Sequence, residues 1–155
     1  MPAVLVILGS KSDLEVGRKA VSTLENLGIE AEIAVASAHR SPDRVKKMVE
    51  GSDAKVFIAI AGLAAALPGA VASYTVRPVI GVPVSGKVNL DSILSIVQMP
   101  PGIPVAAVGV DRGENAALLA AEMLALDDDR LRDALLAHRK ELEEQVEKDS
   151  KEVSG

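Results

Sequence analysis

The sequence predicts a three-layer α/β/α sandwich built on a five-stranded parallel sheet, with an extra C-terminal helix, and three observations carry that prediction. Short continuous apolar runs alternate with stretches whose apolar residues recur every three or four positions, the pattern of buried strands alternating with helices. Gly, Pro, Ser, Asn or Asp stands at nearly every junction between them. At 155 residues and 48% hydrophobic, the chain has the length and apolar content of one domain with one core, residues 1–155.

Ala3 to Leu8 is the first apolar run and ends in Gly9-Ser10-Lys11-Ser12-Asp13. From Asp13 to Leu27 the positions Leu14, Gly17, Val21, Leu24 and Leu27 keep helical spacing, and Gly28 stands where a helix closes on a C′ glycine. Ile29 to Ala36 is the second strand. Ser41 and Pro42 read as N-cap and first residue of a helix to about Gly51, because Pro lacks only a donor that would be orphaned there. Val56 to Ile60 is the third strand, followed by a loop of very small side chains from Ala61 to Gly69 and a short helix to about Tyr74. Pro78 to Val82 is the fourth strand, near an edge because Pro78 and Pro83 bracket it. After the polar loop Ser85 to Asn89 comes a helix from about Leu90 to Val97, then a fifth strand from Val105 to Val110. An Ala/Leu-rich helix from Glu114 to Leu126 and a long charged one from Asp129 to about Val153 complete the chain. Alternating strands and helices require parallel pairing through right-handed crossovers, and the expected order is flavodoxin-like, 2-1-3-4-5. In that order the loops after the first three strands converge on one crevice.

Composition excludes several functions. Net charge is −5 and the basic residues are dispersed, so no electrostatic footprint for nucleic acid exists. Phe57 and Tyr74 are the only aromatic rings, too few for base or flavin stacking. With no cysteine there is no disulfide framework, thiolate metal site or thiol nucleophile. The apolar runs are too short for a membrane span and no charged leader precedes the first, so a soluble cytoplasmic protein is expected. Asp127, Asp128 and Asp129 suit a helix start better than a cation site, since three consecutive acids cannot all face one ion; no metal is expected. An acidic pocket with a phospho-acceptor aspartate at the ends of the first and third strands, as a receiver module needs, is also missing: they read Leu8-Gly9 and Ile60-Ala61.

The chemistry concentrates at the junction Ser37-Ala38-His39-Arg40-Ser41-Pro42, outside the carboxyl end of the second strand, where ligands bind in open α/β sheets. His39 can act as general acid or base near neutral pH. A lone loop histidine is more often a locally bonded surface residue, but Arg40 beside it and two serine-bearing loops in the same crevice favour the functional reading. Ser10, Ser12 and Asp13 offer hydroxyls, backbone N–H groups and a carboxylate at a helix N-terminus, which suits an anion; they also suit ordinary helix capping. His138, at helical spacing with Leu131, Leu135, Leu142 and Val146, reads as the margin of an apolar stripe. The Ala116 to Ala125 helix and that stripe suggest surfaces for association with further copies of the chain.

Together these segments resemble the N5-carboxyaminoimidazole ribonucleotide mutase family of purine biosynthesis (PurE). The resemblance rests on Gly9-Ser10-Lys11-Ser12-Asp13, Ser37 to Pro42, Ala61-Gly62 through Leu67-Pro68-Gly69, Pro78 to Pro83, Ser95-Ile96-Val97-Gln98-Met99-Pro100 and Asn115 to Ala120, in family order over nearly the whole chain. It implies a ribonucleotide whose carboxyl group moves from an exocyclic nitrogen to a carbon of the imidazole ring without metal or cofactor. By the same resemblance Ser10, Ser12, Asp13, Ser37 and Arg40 hold phosphate and ribose, His39 shuttles the proton, the Ala61 loop closes over the ring, and the assembly is an octamer. Two departures stand out: Ala66 occupies the place of a second histidine usual in the family, and the loop reads Gly-Leu-Ala-Ala where many bacterial members have Gly-Ala-Gly-Gly. The loop variation is of archaeal type and leaves open a related reaction, direct carboxylation of aminoimidazole ribonucleotide by carbon dioxide. A non-enzymatic nucleotide-binding module is the remoter alternative.

Overall fold

The computed structural model describes residues 1–155. Five strands, β1 (Val4–Leu8), β2 (Ala31–Val35), β3 (Val56–Ala61), β4 (Val79–Pro83) and β5 (Ala106–Ala107), form one parallel sheet in the order β2-β1-β3-β4-β5. The expected order is the observed one. β4 lies one strand in from the edge, and β5, expected from Val105 to Val110, pairs only through Ala106 and Ala107, against Ile80 and Gly81 of β4. Six α-helices connect and flank the strands: α1 (Leu14–Asn26), α2 (Pro42–Glu50), α3 (Leu67–Ser73), α4 (Asn89–Val97), α5 (Gly113–Leu124) and α6 (Asp129–Ser154).

Successive side chains of a strand point to opposite faces, and the apolar runs divide accordingly. Val4, Val6, Leu8, Ile58, Ile60, Ile80 and Val82 face a cluster completed by Ala20 and Leu24 of α1 and by the alanines of α5. Leu5, Ile7, Phe57 and Ala59 face Val45 and Val49 of α2, Val71 of α3 and Ile96 of α4. Burial of each large side chain of this kind stabilises by about 1.5–3 kcal/mol, which is why the central strands tolerate no polar residue.

Helix ends follow their local chemistry. Gly28, at φ +74°, closes α1 with a paired cap: its N–H donates to the Glu25 carbonyl and the N–H of Ile29 to that of Leu24, both at 2.9 Å. Asp128 starts α6, its Oδ1 accepting from the N–H groups of Arg130 and Leu131 at 3.0 and 3.2 Å, so the acidic triplet is a helix start.

One expectation is overturned. Ala116, Ala117, Ala120 and Ala121 do not offer an outward face; they are buried against α1 within the chain. The approach is so close that a Cβ on Gly113 would stand 2.1 Å from the Val16 carbonyl oxygen. Small residues mark a tight helix contact, but here both helices belong to the same chain. The stripe of α6 divides: Leu131 is buried and Leu135 packs beside it, whereas Leu142 and Val146 are exposed. His138 is half-buried at the groove between α1, α5 and α6, at the margin expected of it. On the other side of the sheet α4 leaves Leu90, Leu94 and Val97 exposed.

Candidate active site

Register brings three loops to one level. Leu8 pairs with Val35 on one side and Ile60 on the other, so the chain leaves β1, β2 and β3 side by side. The crevice between them holds a cavity of about 390 Å³, within the range of small-ligand sites. It is lined by Ser10, Ser12 and Asp13 from the first loop, Ser37, His39 and Arg40 from the second, and residues 61–67 from the third, Ala66 among them. All six residues singled out from the sequence therefore share one cavity.

The first loop turns as a short 3₁₀ helix over Lys11–Asp13. Ser10 caps it: its Oγ accepts from the Ser12 N–H at 3.4 Å and from the Ser12 hydroxyl at 3.1 Å. Both serines line the cavity, so a ligand bound there would draw on the groups that cap this turn. Asp13 is buried and stands just before α1 without capping it. Burial pushes its carboxyl above the ordinary carboxylate range; the Ser10 backbone N–H and the Arg40 charge pull it back, and the Asp111 charge adds to the rise.

The second loop is braced from within. Ser41 does not cap α2 with its side chain; its Oγ turns back, accepting from the Ser37 N–H at 3.0 Å and donating to the Ser37 carbonyl at 3.2 Å. Ser37 Oγ accepts from the Arg40 N–H and from its Nε, at 3.1 and 3.3 Å. Arg40 Nη2 then donates to the Gly9 carbonyl at 3.0 Å, joining the second loop to the first. This brace runs through Ser37, Arg40 and Ser41 and leaves out the exposed imidazole of His39. Arg40 lines the cavity, and the guanidinium donors beyond these two bonds are of the kind suited to an anion.

Two acids that sequence reasoning missed support this surround. Asp111, after β5, is held at φ +60°; its N–H donates to the Pro83 carbonyl at 2.9 Å and its Oδ1 accepts from the Ser85 N–H at 2.8 Å. Asp91 of α4 reaches the third loop, its Oδ2 accepting from the Ala64 N–H at 2.6 Å. Neither has a local signature, since the partners lie 26 and 27 residues away.

The chain matches the AIR carboxylase family over residues 3–145. It belongs to that family. Among its relatives, the N5-carboxyaminoimidazole ribonucleotide mutase of Methanocaldococcus jannaschii is 56% identical over 144 residues, 92% of each chain. The protein of the same name from Pyrococcus horikoshii is 46% identical over 157 residues, covering 98% of this chain and 89% of the relative. The crystal structure of PurE from Treponema denticola superposes with a TM-score of 0.89 at 32% identity, over the full length of both chains. The family resemblance read from the loop motifs is thus borne out across the AIR carboxylase fold.

Proposed function

We propose that this AIR carboxylase family member is an N5-carboxyaminoimidazole ribonucleotide mutase of purine biosynthesis, an isomerase that moves the carboxyl group from the exocyclic nitrogen to C4 of the imidazole ring. The observation that carries this reading is the convergence of Ser10, Ser12, Asp13, Ser37, His39 and Arg40 on one cavity in a chain so similar to proteins named for that reaction.

Arg40 and the serine hydroxyls of the first two loops bind the phosphate; the brace through Ser37 and Gly9 fixes the guanidinium before substrate arrives. Asp13 accepts from the ribose hydroxyls. His39 carries the proton. As the bond from nitrogen to the carboxyl carbon breaks, the nitrogen must gain a proton, and once the new carbon–carbon bond forms at C4, that carbon must lose one. Over the cycle no proton is consumed, so one imidazole that gives and then takes back a proton is sufficient. Ala66 therefore does not forbid the reaction; it removes a group that could orient the migrating carboxylate. The third loop walls the ring, keeping water out and the carboxyl carbon in.

The exposed apolar residues of α4 and α6 support assembly as a homo-oligomer, an octamer by family resemblance. Work in the cytoplasm on a soluble nucleotide goes with the mutase reading; no helix is long and apolar enough to cross a membrane.

Offering the purified protein N5-carboxyaminoimidazole ribonucleotide without bicarbonate, and separately aminoimidazole ribonucleotide with it, tests the assignment. Carboxyaminoimidazole ribonucleotide forms from the first substrate. Product from the second alone would make the protein a direct carboxylase.

A further inference from the structure

The loop that walls the cavity is fixed at its two ends and strained between them. Ala61, Ala65 and Leu67 are buried, while Leu63 and Ala64 stand out in solvent. Ala64 has φ +45°, a left-handed conformation that crowds a Cβ and is unusual for any residue but glycine. Its carbonyl accepts from the N–H of Ala66, and the carbonyl of Ala66 accepts from Ala70 in α3 at 2.9 Å. The conformation of Ala64 therefore sets where Ala66 lies in the cavity wall.

Asp91 holds this strained residue from outside the loop. It stands third in α4, where an acid commonly turns back to cap its own helix. Instead its carboxylate accepts from the Ala64 N–H at 2.6 Å, a charge-assisted bond of the stronger kind. The helix that carries it is a firm support: Ser92, 2% exposed, donates to the Val84 and Asn89 carbonyls at 3.3 and 3.0 Å, and Ile96 is buried beside it. A backbone strained by the turn and held by one long-range bond is the arrangement in which a local conformation is maintained for use rather than for stability.

We infer that Asp91 is a positioning residue for the reaction: its bond to Ala64 keeps residues 62–66 in the conformation that walls the cavity His39 lines, so that the carboxyl group stays with the substrate during transfer. The inference rests on the mutase reading for its catalytic consequence but not for its structural one. Phosphate and ribose contacts come from the other two loops and are untouched by Asp91, so its loss acts on turnover and fate of the carboxyl group more than on nucleotide affinity.

The test compares parent, Asp91→Ala and Asp91→Asn on N5-carboxyaminoimidazole ribonucleotide, following both rearranged product and free aminoimidazole ribonucleotide, together with amide hydrogen exchange of residues 62–66. In Asp91→Ala kcat falls about tenfold or more, as expected when a cavity wall is misplaced. KM changes less than about threefold by the same separation of roles, and the share released as aminoimidazole ribonucleotide rises. Exchange at Ala64 speeds up, and Asp91→Asn, which keeps an acceptor, lies between the two. Should Asp91→Ala fail to fold, Asp91→Asn decides alone through the same partition and exchange. Unchanged partition and kcat in folded variants would overturn the inference. If the parent itself does not turn over, the mutase reading falls, and unchanged exchange at Ala64 would then overturn the structural half separately.

Discussion

Arg77 and Arg40 lie at opposite ends of the same sheet, and their guanidinium groups are bonded to very different extents. Arg77, at the amino-terminal end, donates to the carbonyls of Ser52, Ala54 and Val49 and to the Thr75 hydroxyl, and stacks 4.7 Å from the centre of the Phe57 ring. Its donors are spent on holding together the turns that lead into β3 and β4. Arg40, at the carboxyl end, spends only Nε and one Nη2 bond within the chain, and those serve to aim it. One residue type thus builds a closed knot where the chain enters the sheet and an open edge, the proposed anion site, where it leaves. The carboxyl ends can be open because β1 and β3 beneath them are wholly buried, and the more exposed edge strand β2 is held in register along β1.

Substitutions at the two ends should separate stability from binding. Arg77→Ala leaves several carbonyls without their donor and removes the cation–π contact, and it should cost about 3 kcal/mol, read from urea unfolding at a fixed protomer concentration. Lys should recover less than half of that, since a single ammonium cannot span the same acceptors. Arg40→Ala should do the reverse, weakening a nucleotide analogue by roughly 1.5–3 kcal/mol in calorimetry while leaving unfolding within about 0.5 kcal/mol of the parent. Equal losses of stability in both variants would dissolve the distinction between the two ends.

Asp13 sharpens it further, because burial in the fold raises its proton affinity. The unfolded chain gives up this proton at a lower pH than the folded protein does. The contribution of Asp13 is therefore fully present in strong acid and is lost as pH rises through the raised value, leaving the ionised group a burden at neutral pH. Asp13→Asn should unfold at higher urea concentration than the parent near neutral pH, with the gain vanishing toward strong acid, and should bind nucleotide more weakly. An Asn variant less stable at neutral pH would show that the carboxylate is anchored better than its burial implies. A smaller effect, on activity, is expected at Ala66: Ala66→His should raise kcat/KM a few-fold, about what one added orienting contact contributes. A fall in a folded, assembled protein would mean that the loop is built around alanine.

What the sequence revealed of this molecule, and what it hid, divides along the same lines. The ends of β1, β2 and β3 were legible because each apolar run stops at Gly9, Ser37 or Gly62, and strand order then brought their loops together. The extent of β5 was not: Val105 to Val110 is apolar enough for a strand, but pairing depends on a neighbour, and only Ala106 and Ala107 find partners on β4. The alanines of α5 signalled close helix packing without saying whether the partner helix belonged to the same chain. Asp91 and Asp111 remained hidden because their hydrogen bonds run between segments far apart in sequence, and no periodicity records such a bond.

If His39 moves the proton while its neighbours hold the nucleotide, as proposed, loss of its imidazole removes turnover and spares binding. Turnover of N5-carboxyaminoimidazole ribonucleotide by His39→Asn, measured beside calorimetric binding of a ribonucleotide analogue, tests it most directly. The expected result is a rate lower by about 10²–10⁴-fold with affinity within a few-fold of the parent. Activity within a few-fold of the parent would contradict the claim and return His39 to the status of an ordinary loop residue.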